Sequence, residues 1–149
     1  MIKIMFVCHG NICRSTMAEF VFRDMVNKAG LSEEVSIASS ATSREEIGNP
    51  VHIGTRKKLA EVGISTDGKY AVQLTKSDCE EFDYIIAMDS HNIRNIKRLV
   101  GEGYNDKLYK LLDFAGGGDI ADPWYTGDFN RTYSDVLKGC TGLMEEIGR

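Results

Sequence analysis

Hydrophobic and polar positions change period several times along the chain. Ile2-Lys3-Ile4-Met5-Phe6-Val7 is a short apolar run rich in β-formers and predicts a buried strand. From Met17 to Ala29 the apolar residues Met17, Val21, Met25 and Val26 fall on one helix face, and Gly30 suits the C-cap. Val35 to Ser40 alternates and predicts a second strand, followed by a polar loop from Ser43 to Asn49. Pro50 fits a first helical turn, so a helix is expected from there to about Val62, ended by Gly63. Thr75 can N-cap a short helix through Glu81. Tyr84 to Met88 is continuously apolar, as in a strand covered on both faces. Asp89 or Ser90 then caps a helix carrying Ile93, Ile96, Leu99 and Val100. Lys107 to Leu112 is the expected fourth strand, Ala115 to Gly127 a long loop with glycines at 116, 117 and 118, and Asn130 to Ile147 the last helix.

Strands alternating with helices imply an α/β fold of three layers, a central four-stranded parallel sheet with helices on both faces and right-handed crossovers. Sites in such sheets lie outside the carboxyl ends of the strands. Cys8 follows the first expected strand, Ser39 and Ser40 end the second, Asp89 follows the third and Asp122 lies in the loop after the fourth, so all four positions converge on one edge. With no internal repeat, low-complexity tract or linker, residues 1–149 read as one domain.

Composition narrows the function. A hydrophobic content of 42% and a charged content of 27% are those of an ordinary globular chain. A net charge of −4 gives no general attraction to nucleic acid or to an anionic membrane. No apolar stretch approaches membrane-spanning length and no signal-peptide layout opens the chain, so a cytoplasmic protein is expected. The four cysteines, at 8, 13, 79 and 140, form no CxxC pair and, with three scattered histidines, no zinc pattern. Neither metal nor cofactor is called for. Cys79 and Cys140 read as small core residues; Cys8 is the chemical candidate.

Cys8-His9-Gly10-Asn11-Ile12-Cys13-Arg14-Ser15 joins the first strand to the first helix. Strand, tight loop and helix N-terminus aim backbone N–H groups at an anion. The same groups, with the Arg14 guanidinium, favour a thiolate on Cys8 and grip a phosphate through a bidentate fork. The bland alternative is a structural Cys8 beside a solvated Arg14. A cysteine attacking phosphorus expels an oxygen that needs a proton, and hydrolysis afterwards needs a base for water. Asp122, stiffened by Pro123 and carried on a glycine-rich loop, can do both, although Asp-Pro is also a common turn. Ser15 can donate to the Cys8 sulfur or simply cap the helix. Trp124 and Tyr125 can flank an aromatic ring beside the socket or pack into the core.

These residues resemble the low-molecular-weight protein tyrosine phosphatase family. The resemblance runs from Cys8 to Ser15 with Met17-Ala18-Glu19, and resumes at Phe82 to Asp89 and at Asp122-Pro123-Trp124-Tyr125, in the family's order and spacing. It implies a flavodoxin-like, phosphotyrosine phosphatase I-like fold. It also implies Cys8 as nucleophile, Arg14 and the loop residues His9, Gly10, Asn11, Ile12, Cys13 and Ser15 as the phosphate site, and Asp122 as general acid and base. Ser39 would brace Asn11; Trp124, Tyr125 and, on the opposite rim, Glu45 would meet the substrate's ring. In the family a second loop thiol, here Cys13, can form a reversible disulfide with the nucleophile. Three departures stand out. Thr16 replaces a common proline. Glu45 stands where many relatives place an aromatic or other selectivity residue. Asp67 to Gln73 lacks the usual His and Arg, leaving Tyr70 as a stand-in for the brace. His9, His52 and His91 read as solvated with no further role, as does the Arg94, Lys97 and Arg98 face.

Rival functions fare less well. A thioredoxin-coupled arsenate reductase needs two more close cysteines near the third strand, where only Cys79 stands. Protein-arginine phosphatases of the same family tend to carry Thr where this chain has Ile12. Phosphocysteine-forming phosphocarrier domains are not expected to have Arg14 or the later Asp-Pro, and a phosphotyrosine-binding module has no need of both Cys8 and Asp122. The expected activity is hydrolysis of phosphotyrosine in a protein or peptide, with inorganic phosphate as product and inhibitor.

Overall fold

The computed structural model describes residues 1–148. Its elements follow in the order β1 (Ile2–Cys8), α1 (Arg14–Lys28), β2 (Val35–Ala41), α2 (Ile53–Glu61), α3 (Lys76–Glu81), β3 (Tyr84–Ala87), α4 (Ser90–Val100), β4 (Leu108–Lys110), α5 (Pro123–Thr126) and α6 (Phe129–Ile147). The four strands form one parallel sheet in the order β2-β1-β3-β4. β1 is central: Ile4 pairs with Ile37 on one side and Tyr84 on the other, and Val7 with Ser40 and Ala87.

Alternation along β1 sorts the core into two layers. Ile4, Phe6 and Cys8 join Met17, Phe22, Ile86, Val136 and Leu143 beneath α1 and α6. Met5 and Val7 join Leu74, Cys79, Ile85, Ile96 and Val100 beneath α3 and α4. Because both faces are covered, β1 can be apolar without interruption from Ile4 to Cys8. Thr75 and Asp89 begin α3 and α4 with reciprocal side-chain caps.

Three expectations about elements need correction. Pro50 does not open a helix; it lies in an isolated antiparallel bridge with Tyr70, and α2 begins three residues later. The cap there is His52, whose Nδ1 accepts from the Gly54 amide at 3.0 Å. The fourth strand is only Leu108–Lys110, because β3 offers it just Ile85 to Ala87 for pairing. Short 3₁₀ turns at Asn105–Lys107 and Leu111–Ala115 take the residues on either side, and the second tucks Leu111 and Leu112 into the core. The loop expected over 115–127 contains the single turn α5. Among the described residues no helix is long and apolar enough to cross a membrane.

Candidate active site

The end of β1 delivers Cys8 into a loop that closes at Arg14, the first residue of α1. The loop's carbonyls are taken up by its surroundings. Cys8 O accepts from the Thr42 amide at 3.0 Å, His9 O from Ser43 at 3.1 Å, Ile12 O from His52 at 2.9 Å, and Cys13 O from Met17 at 3.0 Å. Carbonyls pinned outward leave the amides available to an anion. Asn11, at φ 59, is the one non-glycine residue with positive φ among the described residues. In that left-handed conformation its amide reaches Cys8 Sγ at 3.3 Å.

Behind the loop, side chains hold Asn11 in place. Its Nδ2 donates to Ser15 Oγ at 2.8 Å and to Ser39 Oγ at 2.9 Å, and its Oδ1 accepts from the Val72 amide at 3.1 Å. Ser15 Oγ lies 3.1 Å from Cys8 Sγ. As a thiol Cys8 donates there; once the sulfur is ionised, the hydroxyl, whose lone pair already receives Asn11, turns to donate. The expected contact of Asn11 with Ser39 is present. Tyr70 is not the brace: it is 55% exposed, and the Val72 backbone does that work.

Arg14 is 3% exposed. Its Nη1 donates to Asp89 Oδ2 at 2.6 Å and to the Ile120 carbonyl at 2.8 Å, and its Nη2 lies 3.4 Å from Asp122 Oδ2. Burial works against a charged guanidinium, but the Cys8 sulfur, the bond to Asp89 and the charge of Asp122 outweigh it and hold Arg14 above its ordinary value. Asp89, which the sequence offers as a helix cap on this edge without a part in the site, divides its carboxylate: Oδ1 accepts from the Asn92 amide at 2.7 Å, as a cap does, while Oδ2 holds Arg14. Asp122 likewise caps α5, its Oδ1 accepting from the Trp124 amide at 3.0 Å.

Cys8, Cys13, Arg14 and Asp122 line a cleft of about 480 Å³, with His9, Gly10 and Ile12 along its floor and wall. Asn11, Ser15 and Ser39 stand behind the loop and do not line it. Trp124 and Tyr125 form one rim at 57% and 85% exposure, so they are not core residues. Glu45 and Glu46 form the other, and sequence reasoning missed Glu46. His9 is not merely solvated, since its Nε2 is bonded to Glu45 Oε2 at the cleft mouth. Nor is His52: its ring meets Trp124 edge-on at 5.6 Å and stacks on Phe129 at 5.5 Å, so it supports the aromatic rim from behind. Residue type gave no sign of this role; only the fold brings His52 and Trp124 together. His91 is exposed and touches Arg94. Burial, reinforced by Cys8 and Asp122, pushes the Cys13 thiol up to about 12.

Comparison with known proteins gives the same picture. A model of the family "Low molecular weight phosphotyrosine protein phosphatase" matches residues 3–149. The chain is 42% identical over 150 residues to the low molecular weight protein-tyrosine-phosphatase YfkJ of Bacillus subtilis, covering 99% of this chain and 96% of that one. It is 40% identical to PtpA of Staphylococcus epidermidis over 149 residues, covering 99% and 94%. The crystal structure of YfkJ superposes with a TM-score of 0.96 at 41% identity, covering 99% and 95% of the two chains. That of a low molecular weight protein tyrosine phosphatase from Streptococcus pyogenes superposes with 0.90 at 44% identity, covering 99% and 93%. The chain belongs to the low molecular weight phosphotyrosine protein phosphatase family.

Proposed function

We propose that residues 1–149 act as a single phosphatase domain that hydrolyses phosphotyrosine in proteins or peptides through a phosphocysteine on Cys8. The observation that carries this reading is the meeting of Cys8, the buried Arg14 and Asp122 in one cleft with an aromatic rim. The Cys8 thiolate attacks phosphorus, the bond from phosphorus to the tyrosine oxygen breaks, and the Asp122 carboxyl gives that oxygen its proton. Arg14 and the loop amides hold the phosphoryl oxygens throughout. The Asp122 carboxylate then takes a proton from water as its oxygen attacks phosphorus, releasing inorganic phosphate and restoring the thiolate. Phosphate therefore serves as product and as competitive inhibitor.

Trp124, Tyr125 and, on the other rim, Glu45 meet the tyrosine ring in this reading, which their lining of the cleft supports. A net charge of −4 has the wrong sign for nucleic acid or anionic lipid. The four cysteines are free thiols, and a cysteine nucleophile must stay reduced, which favours a cytoplasmic setting. The test is to quench the reaction with a phosphotyrosine peptide and locate phosphate by mass spectrometry, with a phosphoarginine peptide as comparison. We expect phosphate on Cys8, tyrosine turnover above arginine turnover, and a Cys8→Ser variant that binds phosphate without turnover. Substantial activity in that variant would overturn the mechanism, and faster phosphoarginine hydrolysis would change the substrate.

A further inference from the structure

Outside the cleft, a pair of enclosed charges, Glu19 and Lys69, meets at Ser39 behind the phosphate loop. Glu19 on α1 is 5% exposed, and the Lys69 side chain that meets it is 14% exposed. Lys69 Nζ donates to the Ser39 carbonyl at 2.9 Å and lies 3.5 Å from Glu19 Oε1. The same Glu19 oxygen accepts from the Ser39 hydroxyl, and Glu19 Oε2 accepts from Arg23 Nη2 at 2.7 Å. Arg23 Nη2 also donates to the Ile37 carbonyl at 2.9 Å.

The direction of each bond gives this cluster its consequence. Because Ser39 gives its hydroxyl proton to Glu19, its oxygen can only accept from the other side, and there it accepts Asn11 Nδ2. That fixes the Asn11 amide group, which fixes the acceptor side of Ser15 and frees the Ser15 proton for the Cys8 sulfur. It also stabilises the left-handed Asn11 backbone whose amide faces the same sulfur. A carboxylate removed from water needs compensating charge to remain an acceptor. Arg23 supplies it on the outer oxygen, and its side chain is 37% exposed. Lys69 supplies it on the inner oxygen and at the same time clamps the Ser39 backbone.

We propose that Lys69 is a positioning residue for the Cys8 nucleophile, acting through Glu19, Ser39 and Asn11; the proposal rests on the reading of Cys8 as nucleophile. Lys69 touches neither the cleft nor the reacting atoms. Its charge sets the hydrogen-bond direction of a relay that ends on the sulfur.

The test measures three quantities in the parent, Lys69→Met and Lys69→Arg, well below each melting temperature. They are the burst rate of enzyme phosphorylation, the inhibition constant of inorganic phosphate, and the rate of Cys8 alkylation by iodoacetate. For Lys69→Met we expect burst and alkylation rates to fall roughly tenfold, the size of coupling ordinary for one hydrogen-bonded network. Phosphate inhibition should change much less. Lys69→Arg should recover most of both rates. Glu19→Gln should repeat the loss, and the double variant should be no worse than the worse single. If Lys69→Met does not fold, Lys69→Gln takes its place under the same criteria. Rates within twofold of the parent in a folded neutral variant would overturn the proposal, as would equal losses in the Arg and neutral variants. Cys8→Ser is assayed alongside: activity there defeats the nucleophile assignment itself, whereas an inactive Cys8→Ser beside a fully active Lys69→Met defeats only the role of Lys69.

Discussion

Cys13 illustrates how far one residue's surroundings can set its chemistry. It shares the phosphate loop with Cys8 and is likewise buried, but burial holds its thiol at about 12. In the redox role that the family resemblance implies for it, peroxide first oxidises the Cys8 thiolate to a sulfenic acid. The Cys13 thiol then condenses with that group, losing water and forming a disulfide. The raised value keeps Cys13 from competing as a thiolate until oxidation has occurred. We therefore expect iodoacetamide to label Cys8 and spare Cys13 at every pH up to about 10, as read by peptide mass spectrometry. After mild peroxide, activity should return with dithiothreitol in the parent and less completely in Cys13→Ser. Equal recovery would remove the protective role. At this scale the sequence was informative wherever chemistry is local. Cys8, Arg14 and Ser15 lie in one short stretch, and Asn11 with Ser39 could be paired through the resemblance. It was silent on the contacts of Asp89, His52 and Lys69, whose partners Arg14, Trp124 and Glu19 lie 75, 72 and 50 positions away.

Among elements, the segment from Leu111 to Thr126 carries the proposed acid Asp122. Its 3₁₀ turn ends at Gly116, whose φ of 98 a side chain would strain, and Ile120 then lends its carbonyl to Arg14. Asp119 anchors the stretch to α4, accepting from Lys110 Nζ at 2.9 Å and from the Ser90 amide at 3.2 Å; the bond from Lys110 chiefly lowers its carboxyl below the ordinary range. Asp122 follows at the start of α5. If it is the proton donor, Asp122→Asn should slow phosphorylation by phenyl phosphate roughly 10²–10⁴-fold. It should slow 4-nitrophenyl phosphate much less, because nitrophenolate leaves without a proton. Burst kinetics with both substrates decide the matter: an equal loss for the two would move the role to Asp119 or Asp128. The strands β1, β2 and β3 and the helices α1 and α6 were legible because their apolar patterns are long or unbroken. The start of α2 was not, since Pro50 suits a helical first turn and an extended bridge equally well, and pairing with Tyr70 decided between them. The end of β4 was hidden for a similar reason: Leu111 and Leu112 are apolar enough for a strand, but the short β3 leaves them no partner.

Across the whole molecule, the proposed proton donor Asp122 and the proposed nucleophile Cys8 stand far apart in the chain, and we expect α6 to set the distance between them. It lies beneath the sheet beside α1 and packs against the turn at 111–115 that leads into the Asp122 segment. Two of its glycines, Gly139 and Gly142, make that approach possible. A Cβ at Gly139 would press on the Leu111 side chain, which can rotate away, whereas one at Gly142 would run into the carbonyl of Phe114, which cannot move without its backbone. In an exposed helix, Gly→Ala is favourable by about 1 kcal/mol. Here overpacking against a fixed carbonyl costs about 1–3 kcal/mol, so the clash should win and Gly142→Ala should destabilise. At roughly 2–4 °C per kcal/mol for a chain of this size, the melting temperature should fall by several degrees. The turn would also shift relative to β3, drawing Ile120 away from Arg14 and Asp122 away from the cleft. Phosphorylation by phenyl phosphate should therefore slow more than by 4-nitrophenyl phosphate, as in Asp122→Asn but more mildly. Gly139→Ala should show smaller changes in both melting temperature and rate. Calorimetry and burst kinetics on the two variants provide the check. A Gly142→Ala protein as stable as the parent would mean that the turn yields at no cost and that α6 does not set the position of the acid.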